Sequence, residues 1–124
     1  MCGIAGLFHC GTIKPVDPAR VERMSDALAH RGPDGSGVWT APGVGLGHRR
    51  LSIIDIAGSP QPMRSADGRA MLVYNGEIYN YRELRRELAG LGAQFRTEGE
   101  SEVILAAYQQ WGANCLRRFY GMFA

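Results

Sequence analysis

An α+β domain with antiparallel strands is the fold class this sequence predicts, and three observations carry it. Residues 38–40 and 44–50 are short β-rich runs on either side of Ala41-Pro42-Gly43, the pattern of a hairpin. Three stretches place apolar residues at helical spacing behind a polar start: Val21, Met24 and Leu28 after Asp17-Pro18, Leu84, Leu88 and Leu91 after Asn80, and Val103, Ile104, Ala107 and Trp111 after Ser101. The chain also begins on an apolar run, residues 4–8, that reads as a strand.

Taken in order, that first strand is followed by a loop over residues 9–16. Asp17 and Pro18 form an N-cap and first-turn pair, and the helix they start is expected to end near His30, with Arg20, Glu22, Arg23 and Asp26 on its polar face. Arg31-Gly32-Pro33-Asp34-Gly35 cannot extend it, because Pro33 lacks a backbone donor and turns Gly32 away from helical angles. Residues 51–54 prolong the second hairpin strand, and residues 56–66, with Pro60 and Pro62, read as a loop. Asp67-Gly68 marks a turn before a strand at 70–74, which Asn75-Gly76-Glu77 is expected to break. A capping-box reading gives Asn80 as cap and Glu83 as third residue of the next helix, ended by Gly90 and Gly92. Residues 93–97 form a candidate short strand, Ser101 caps the last helix, residues 114–119 add a turn, and residues 121–124 start a strand.

At 124 residues the chain is one domain or part of one. Apolar residues make up 45%, charged residues 21%, and the formal charge is +2 with scattered arginines. That balance argues against a nucleic-acid partner, and no apolar stretch is long enough to span a bilayer. Cys2, Cys10 and Cys115 are odd in number and irregularly spaced, which fits reduced thiols in a cytoplasm better than a disulfide framework. No His or Cys pair has metal-ligand spacing, so no metal is expected. The glycines at 43, 45 and 47 precede no helix start, so they read as sites of close packing rather than a nucleotide loop.

The chemistry gathers at the N-terminus. Removal of Met1, favoured when the next residue is small, would leave Cys2 with a thiol and a free α-amine on one residue. Such an amine titrates at about 8, close to the optimum for a general base at neutral pH. Nucleophile and base then come together by covalent connectivity, acting through one water. Other polar groups stand where strands meet loops: Arg50 in His48-Arg49-Arg50-Leu51, Asn75-Gly76-Glu77, and Glu98-Gly99-Glu100. Singly, Arg50 reads as a surface cation, Asn75-Gly76 as a tight turn and Glu77 as a solvated charge. As a set with Cys2, they suit a zwitterionic amino acid carrying a carbonyl to be attacked.

Six motifs in sequence carry a resemblance. Met1-Cys2-Gly3-Ile4-Ala5-Gly6, His30-Arg31-Gly32-Pro33-Asp34-Gly35, the run from Gly47 to Asp55, Gln61-Pro62-Met63, the run from Tyr74 to Asn80, and Glu102-Val103-Ile104-Leu105 resemble, in the same order, the class II glutamine amidotransferase domain of glutamine-hydrolysing asparagine synthetases. The resemblance implies an N-terminal-nucleophile fold, an αββα sandwich of two antiparallel sheets between helical layers. It implies hydrolysis of the glutamine side-chain amide to glutamate and ammonia through a thioester on Cys2. Asn75 and the backbone of Gly76 match the oxyanion hole, Arg50 the arginine that binds the substrate α-carboxylate, and Glu77, with backbone near Ile53 and Ile54, the holders of its α-amino group. Glu100 stands where the family usually has an aspartate that grips the α-ammonium, one methylene longer, and the expectation is that it still does so with a backbone shift permitted by Gly99.

The resemblance further implies that glutamine is the partner of this domain, that no cofactor acts in it, and that ATP and magnesium serve a C-terminal synthetase domain that receives the ammonia. That domain and the last part of the amidotransferase domain are expected beyond residue 124, and the chain has no Gly-rich pyrophosphate loop of its own. Open strand edges in such a piece would favour a homodimer. The alternative readings are a non-catalytic glutamine- or partner-binding module of the same fold, or an amidotransferase for an acceptor other than aspartate.

Overall fold

Strand β3, Val44–Arg50, is the centre of a three-stranded antiparallel sheet in the order β1-β3-β2, with β1 at Gly3–Phe8 and β2 at Gly35–Ala41. The computed structural model describes residues 2–52 and 60–124. They divide into two compact units: residues 2–52 with Pro60–Pro62 and Val73–Asn75, and the remainder, Met63–Leu72 and Gly76–Ala124.

In the first unit, β2 and β3 form the expected hairpin, closed at Pro42-Gly43 with Gly43 at φ 82°, a backbone angle that glycine adopts without penalty. The β1–β3 register runs from Phe8 opposite Val44 to Gly3 opposite Arg49. Helix α1, Pro18–Asp26, starts where the sequence places it: the Asp17 side chain accepts from the Ala19 N–H at 3.0 Å, and Pro18 occupies the first turn. It lies on one face of the sheet. A Cβ on Gly45 would come within 2.6 Å of Val21, and one on Gly47 within 3.2 Å of Ser25, so bare backbone in β3 lets Val21 bury completely. Alternation then assigns Gly3, Gly45, Gly47 and Arg49 to the helix side, and Ile4, Leu46, His48 and Arg50 to the other. The Arg49 guanidinium pairs with Asp26 at the end of α1, in keeping with that side.

Helix α1 is shorter than its spacing suggests. Beyond Asp26 the backbone tightens into three-residue turns, with Leu28, Ala29 and Arg31 N–H groups donating to the Ser25, Asp26 and Leu28 carbonyls. The opposite face of the sheet is covered by 60–62 and 73–75: a Cβ on Gly37 would overlap the Gln61 carbonyl.

The second unit contains two short antiparallel pairs, β4 (Met63–Arg64) with β5 (Met71–Leu72) and β6 (Gly76–Ile78) with β7 (Gly121–Phe123). Helix α2, Tyr81–Gly90, packs against α3, Glu100–Trp111, and a 3-10 segment, Gly112–Arg118, leads from α3 to β7. Leu84 and Leu88 are buried as expected, whereas Leu91 is 54% exposed because α2 has ended before it.

Five expectations are corrected in this unit. The strand expected at 70–74 is confined to Met71–Leu72, and Gly76-Glu77 starts β6 instead of ending a strand, because β7 pairs with it from far along the chain. Asn80 stands at the N-cap of α2 without capping it: its Nδ2 donates to the Arg118 carbonyl and its Oδ1 accepts from the Tyr120 N–H, tying the helix start to the approach of β7. Residues 93–97 form no strand, and the cap of α3 is Gly99 rather than Ser101. One side chain explains the last two. Glu102, in the first turn of α3, accepts from the Arg96 and Thr97 backbone N–H groups at 2.9 and 2.7 Å, from the Thr97 hydroxyl at 2.9 Å and from Arg96 Nε at 3.2 Å. The amides a strand would need for its ladder are spent on a carboxylate.

Burial alone would raise the Glu102 carboxyl, but these four donors together hold it below its usual range. A carboxyl depressed in the folded state adds stability above the unfolded pKa of about 4.3 that disappears as pH falls through the folded value. Glu102→Gln should therefore lower stability at pH 7 by about 2 kcal/mol and flatten its decline below pH 4.3 or so, as read from denaturant melts across pH.

Candidate active site

Cys2 precedes β1, and continuing the β1–β3 register by one residue sets it opposite Arg50. Its sulfur accepts from the Leu51 N–H at 3.4 Å and lies 3.7 Å from the Leu51 carbonyl oxygen, while Arg31 Nε donates to the Cys2 carbonyl at 3.2 Å. By alternation Cys2 and Arg50 fall on the sheet face away from α1, both half-buried.

The turn after α1 braces the same strand end. A Cβ on Gly32 would overlap the Arg49 carbonyl, so no larger residue fits against β3 there. The Asp34 N–H donates to the Arg50 carbonyl at 3.0 Å and its Oδ2 accepts from the Ser52 N–H at 2.8 Å. Cys2 touches Leu51, and Asp34 grips the residues on either side of it.

On this face lies also the segment that ends at Asn75. His48, almost fully buried in β3, donates from Nε2 to the Tyr74 carbonyl at 3.2 Å, and the Tyr74 N–H donates to Gln61 Oε1 at 2.6 Å. Burial pushes the His48 pKa down; the Tyr74 carbonyl opposes this and the nearby Arg50 charge adds to it, so the imidazole is neutral at pH 7 and its Nε2 carries the proton. Asn75 itself is half-buried, and its Oδ1 is buried with no hydrogen-bond partner among the described residues.

The first unit thus holds Cys2, Arg50 and Asn75, with the first two adjoining. Gly76, Glu77 and Glu100 belong to the second. Gly76 pairs with Phe123 so closely that a Cβ would overlap the Met122 carbonyl, and Glu77 is exposed in the middle of β6. Glu100 opens α3, buried, with Oε2 accepting from the Ile78 N–H at 3.0 Å. Gly99, just ahead of it, has φ −81° and ψ 162°, an extended geometry open to any residue. Ile53 and Ile54 lie outside the described residues. Among the described residues no three His, Cys, Asp or Glu side chains gather as a metal site, and no helix is long and apolar enough to cross a membrane.

Asp34, His48 and Gln61 lie within the resembling motifs, but the sequence assigns them no role. The signal for His48 was available, since it alternates with Leu46 and Arg50 along β3 and so shares their face. Nothing local pointed to Gln61 or Asp34, whose partners are distant in sequence.

The whole chain, residues 1–124, matches the family described as the glutamine amidotransferase domain, and the chain belongs to that family. Among its curated relatives, a Mycobacterium tuberculosis protein named provisionally as a glutamine-hydrolyzing asparagine synthetase is 53% identical over 114 residues, covering 84% of this chain and 18% of the relative. The asparagine synthetase B of Escherichia coli and asparagine synthetase 1 of Bacillus subtilis, both named as glutamine-hydrolyzing, are 40% and 39% identical over 100% of this chain and 22% and 20% of their own lengths. The chain spans about a fifth of the length of the relatives it matches.

If Asp34 is what braces Leu51 against the Cys2 sulfur, Asp34→Ala should speed hydrogen exchange of the Ser52 amide by at least about tenfold, the loss expected for one charge-assisted bond of 1.5–3 kcal/mol, with global stability reduced by less.

Proposed function

We propose that this chain is the glutaminase portion of an asparagine synthetase-like amidotransferase, folded as an N-terminal-nucleophile αββα sandwich. The observation that carries the reading is the Cys2 sulfur lodged against Leu51, at the end of the strand that delivers Arg50.

With Met1 removed, the α-amine of Cys2 takes the thiol proton and the sulfur attacks the γ-carbonyl carbon of glutamine. Negative charge then develops on the carbonyl oxygen, which the Asn75 side-chain NH2 and the Gly76 N–H receive. Collapse expels ammonia, with the proton returned by the amine, and leaves a γ-glutamyl thioester. Water attacks the thioester, the same amine taking its proton, and glutamate departs as the thiol reforms. Arg50 receives the substrate α-carboxylate in its planar fork of donors. Glu77 and Glu100, with backbone at Ile53 and Ile54, receive the α-ammonium.

Among the described residues the buried Asn75 amide oxygen has no hydrogen-bond partner, so no bond to it ties down the amide that this scheme uses. A buried polar atom without a partner costs about 1–3 kcal/mol, and such costs are found where a ligand supplies what the fold withholds.

The ammonia would pass to a C-terminal synthetase domain, which would use ATP and magnesium to amidate an acid, aspartate in the enzymes the relatives are named for. No step of glutamine hydrolysis runs through those groups. A cytoplasmic setting and a homodimer complete the proposal.

The test is ammonia release from glutamine by the full-length chain, beside its intact mass. Mass should show Met1 removed, and Cys2→Ala should abolish release. Asn75→Ala should lower kcat about 10²–10³-fold. Arg50→Ala and Glu100→Ala should act mainly on KM. Glutamine bound without turnover by the wild-type chain, or a retained Met1 in an active preparation, would overturn the scheme; unchanged KM in Glu100→Ala would remove Glu100 from it.

A further inference from the structure

We propose that His48 and Gln61 are positioning residues that set the Asn75 amide by holding the two backbone polar groups of Tyr74. The inference rests on the reading of Asn75 as an oxyanion donor. Residues 73–75 lie between β5 and β6 and belong to neither strand, so among the described residues no strand ladder holds their backbone. Tyr74 is nonetheless buried, and a buried N–H and C=O must find partners. Here side chains meet that need: the His48 imidazole takes the carbonyl and the Gln61 amide takes the N–H.

Both clamps are themselves anchored. His48 sits in the middle strand, opposite Ile4 on one side and Gly37 on the other, and is only 1% exposed. The Gln61 backbone presses on that same Gly37, where any Cβ would collide with its carbonyl. The carbonyl that His48 holds is half of the peptide group whose other half is the Asn75 N–H, so the strand that carries Arg50 also fixes the plane from which the Asn75 side chain springs. Two bonds of fixed reach therefore convert the sheet register into a placement for Asn75. A ladder would do so through the backbone, whereas here two replaceable side chains contribute to the placement.

A donor displaced by a fraction of an ångström from a developing oxyanion loses rate rather than binding. His48→Leu and Gln61→Met should therefore lower kcat for glutamine hydrolysis about 10- to 100-fold with little change in KM. His48→Gln, which keeps an N–H donor of similar reach, should recover most of the loss. A second readout separates positioning from general damage. Labelling of Cys2 by a diazoketone analogue of glutamine passes through an oxyanion and should slow in step with kcat, while alkylation of Cys2 by iodoacetamide, which forms none, should keep its wild-type rate.

Wild-type kcat in both His48→Leu and Gln61→Met overturns the proposal, and so does a parallel fall of diazoketone and iodoacetamide rates in either. Should His48→Leu fail to fold, Gln61→Met decides alone, since its side chain is only half-buried. A wild-type chain that neither hydrolyses glutamine nor takes the diazoketone fails at the glutaminase reading itself and carries the clamp down with it; an active wild type with unaffected variants fails at the clamp only.

Discussion

The pairing of β1 with β3 is the constraint on which the rest of the first unit depends. Antiparallel strands fix every residue on one against a residue on the other, and a slip of one position would exchange the faces of all of them. Because Gly3 opposes Arg49, Cys2 arrives at Arg50 and Leu51 instead of at a neighbour, and the sulfur meets a backbone N–H. A chain terminus is ordinarily the most frayed part of a domain. This one is held by a six-residue ladder, by Arg31 on the Cys2 carbonyl and by Leu51 on the sulfur.

That register is defended from both sides of the sheet. On the α1 side the glycines of β3 admit Val21 and Ser25 so closely that a shifted strand would bring His48 or Leu46 into space sized for bare backbone. On the far side a shift would displace Leu46, His48 and Arg50, and with them the His48 bond to the Tyr74 carbonyl. The glycines at 45 and 47 are thus a packing device with a consequence for chemistry: they leave room on one face of β3 for Val21 and Ser25, while Leu46, His48 and Arg50 fall on the other. The 31–35 turn adds a third support, since Asp34 bonds the backbone on both sides of Leu51.

Elements whose cause is local were legible in the sequence. The Asp17-Pro18 start, the Pro42-Gly43 hairpin and the Leu84 and Leu88 stripe each follow from a few adjacent residues, and each stands where the pattern puts it. What failed has a distant cause. The strand at 76–78 exists because 121–123 pairs with it, Asn80 gives up its cap because Arg118 and Tyr120 claim its amide, and 93–97 stays irregular because Glu102 takes its N–H groups. The site divides the same way. Residue types and their order mark Cys2, Arg50 and Asn75 as candidates, and the β1–β3 register supplies the adjacency of the first two. No local pattern gives the His48 and Gln61 bonds to Tyr74, because each spans a separation that only the folded sheet closes.

The two acids that open α3 illustrate why residue type alone underdetermines role. Glu100 and Glu102 both sit in the first turn, where a negative charge is favoured by the helix dipole, and both are buried. Their side chains nevertheless leave the helix in different directions. Glu102 reaches back along the chain and accepts four hydrogen bonds from two adjacent residues, which fills its capacity and makes it a brace for the loop ahead of the helix. Glu100 reaches to β6 and accepts the Ile78 N–H, two residues beyond Gly76. The brace fixes where α3 begins, the start of α3 fixes Glu100, and Glu100 in turn ties β6 to the helix. Glu102 therefore acts on the proposed substrate-binding residues without needing to meet a substrate, much as Asp34 holds the Ser52 N–H beside Leu51 and His48 the Tyr74 carbonyl beside Asn75: in each case a side chain bonds backbone close to a candidate site residue.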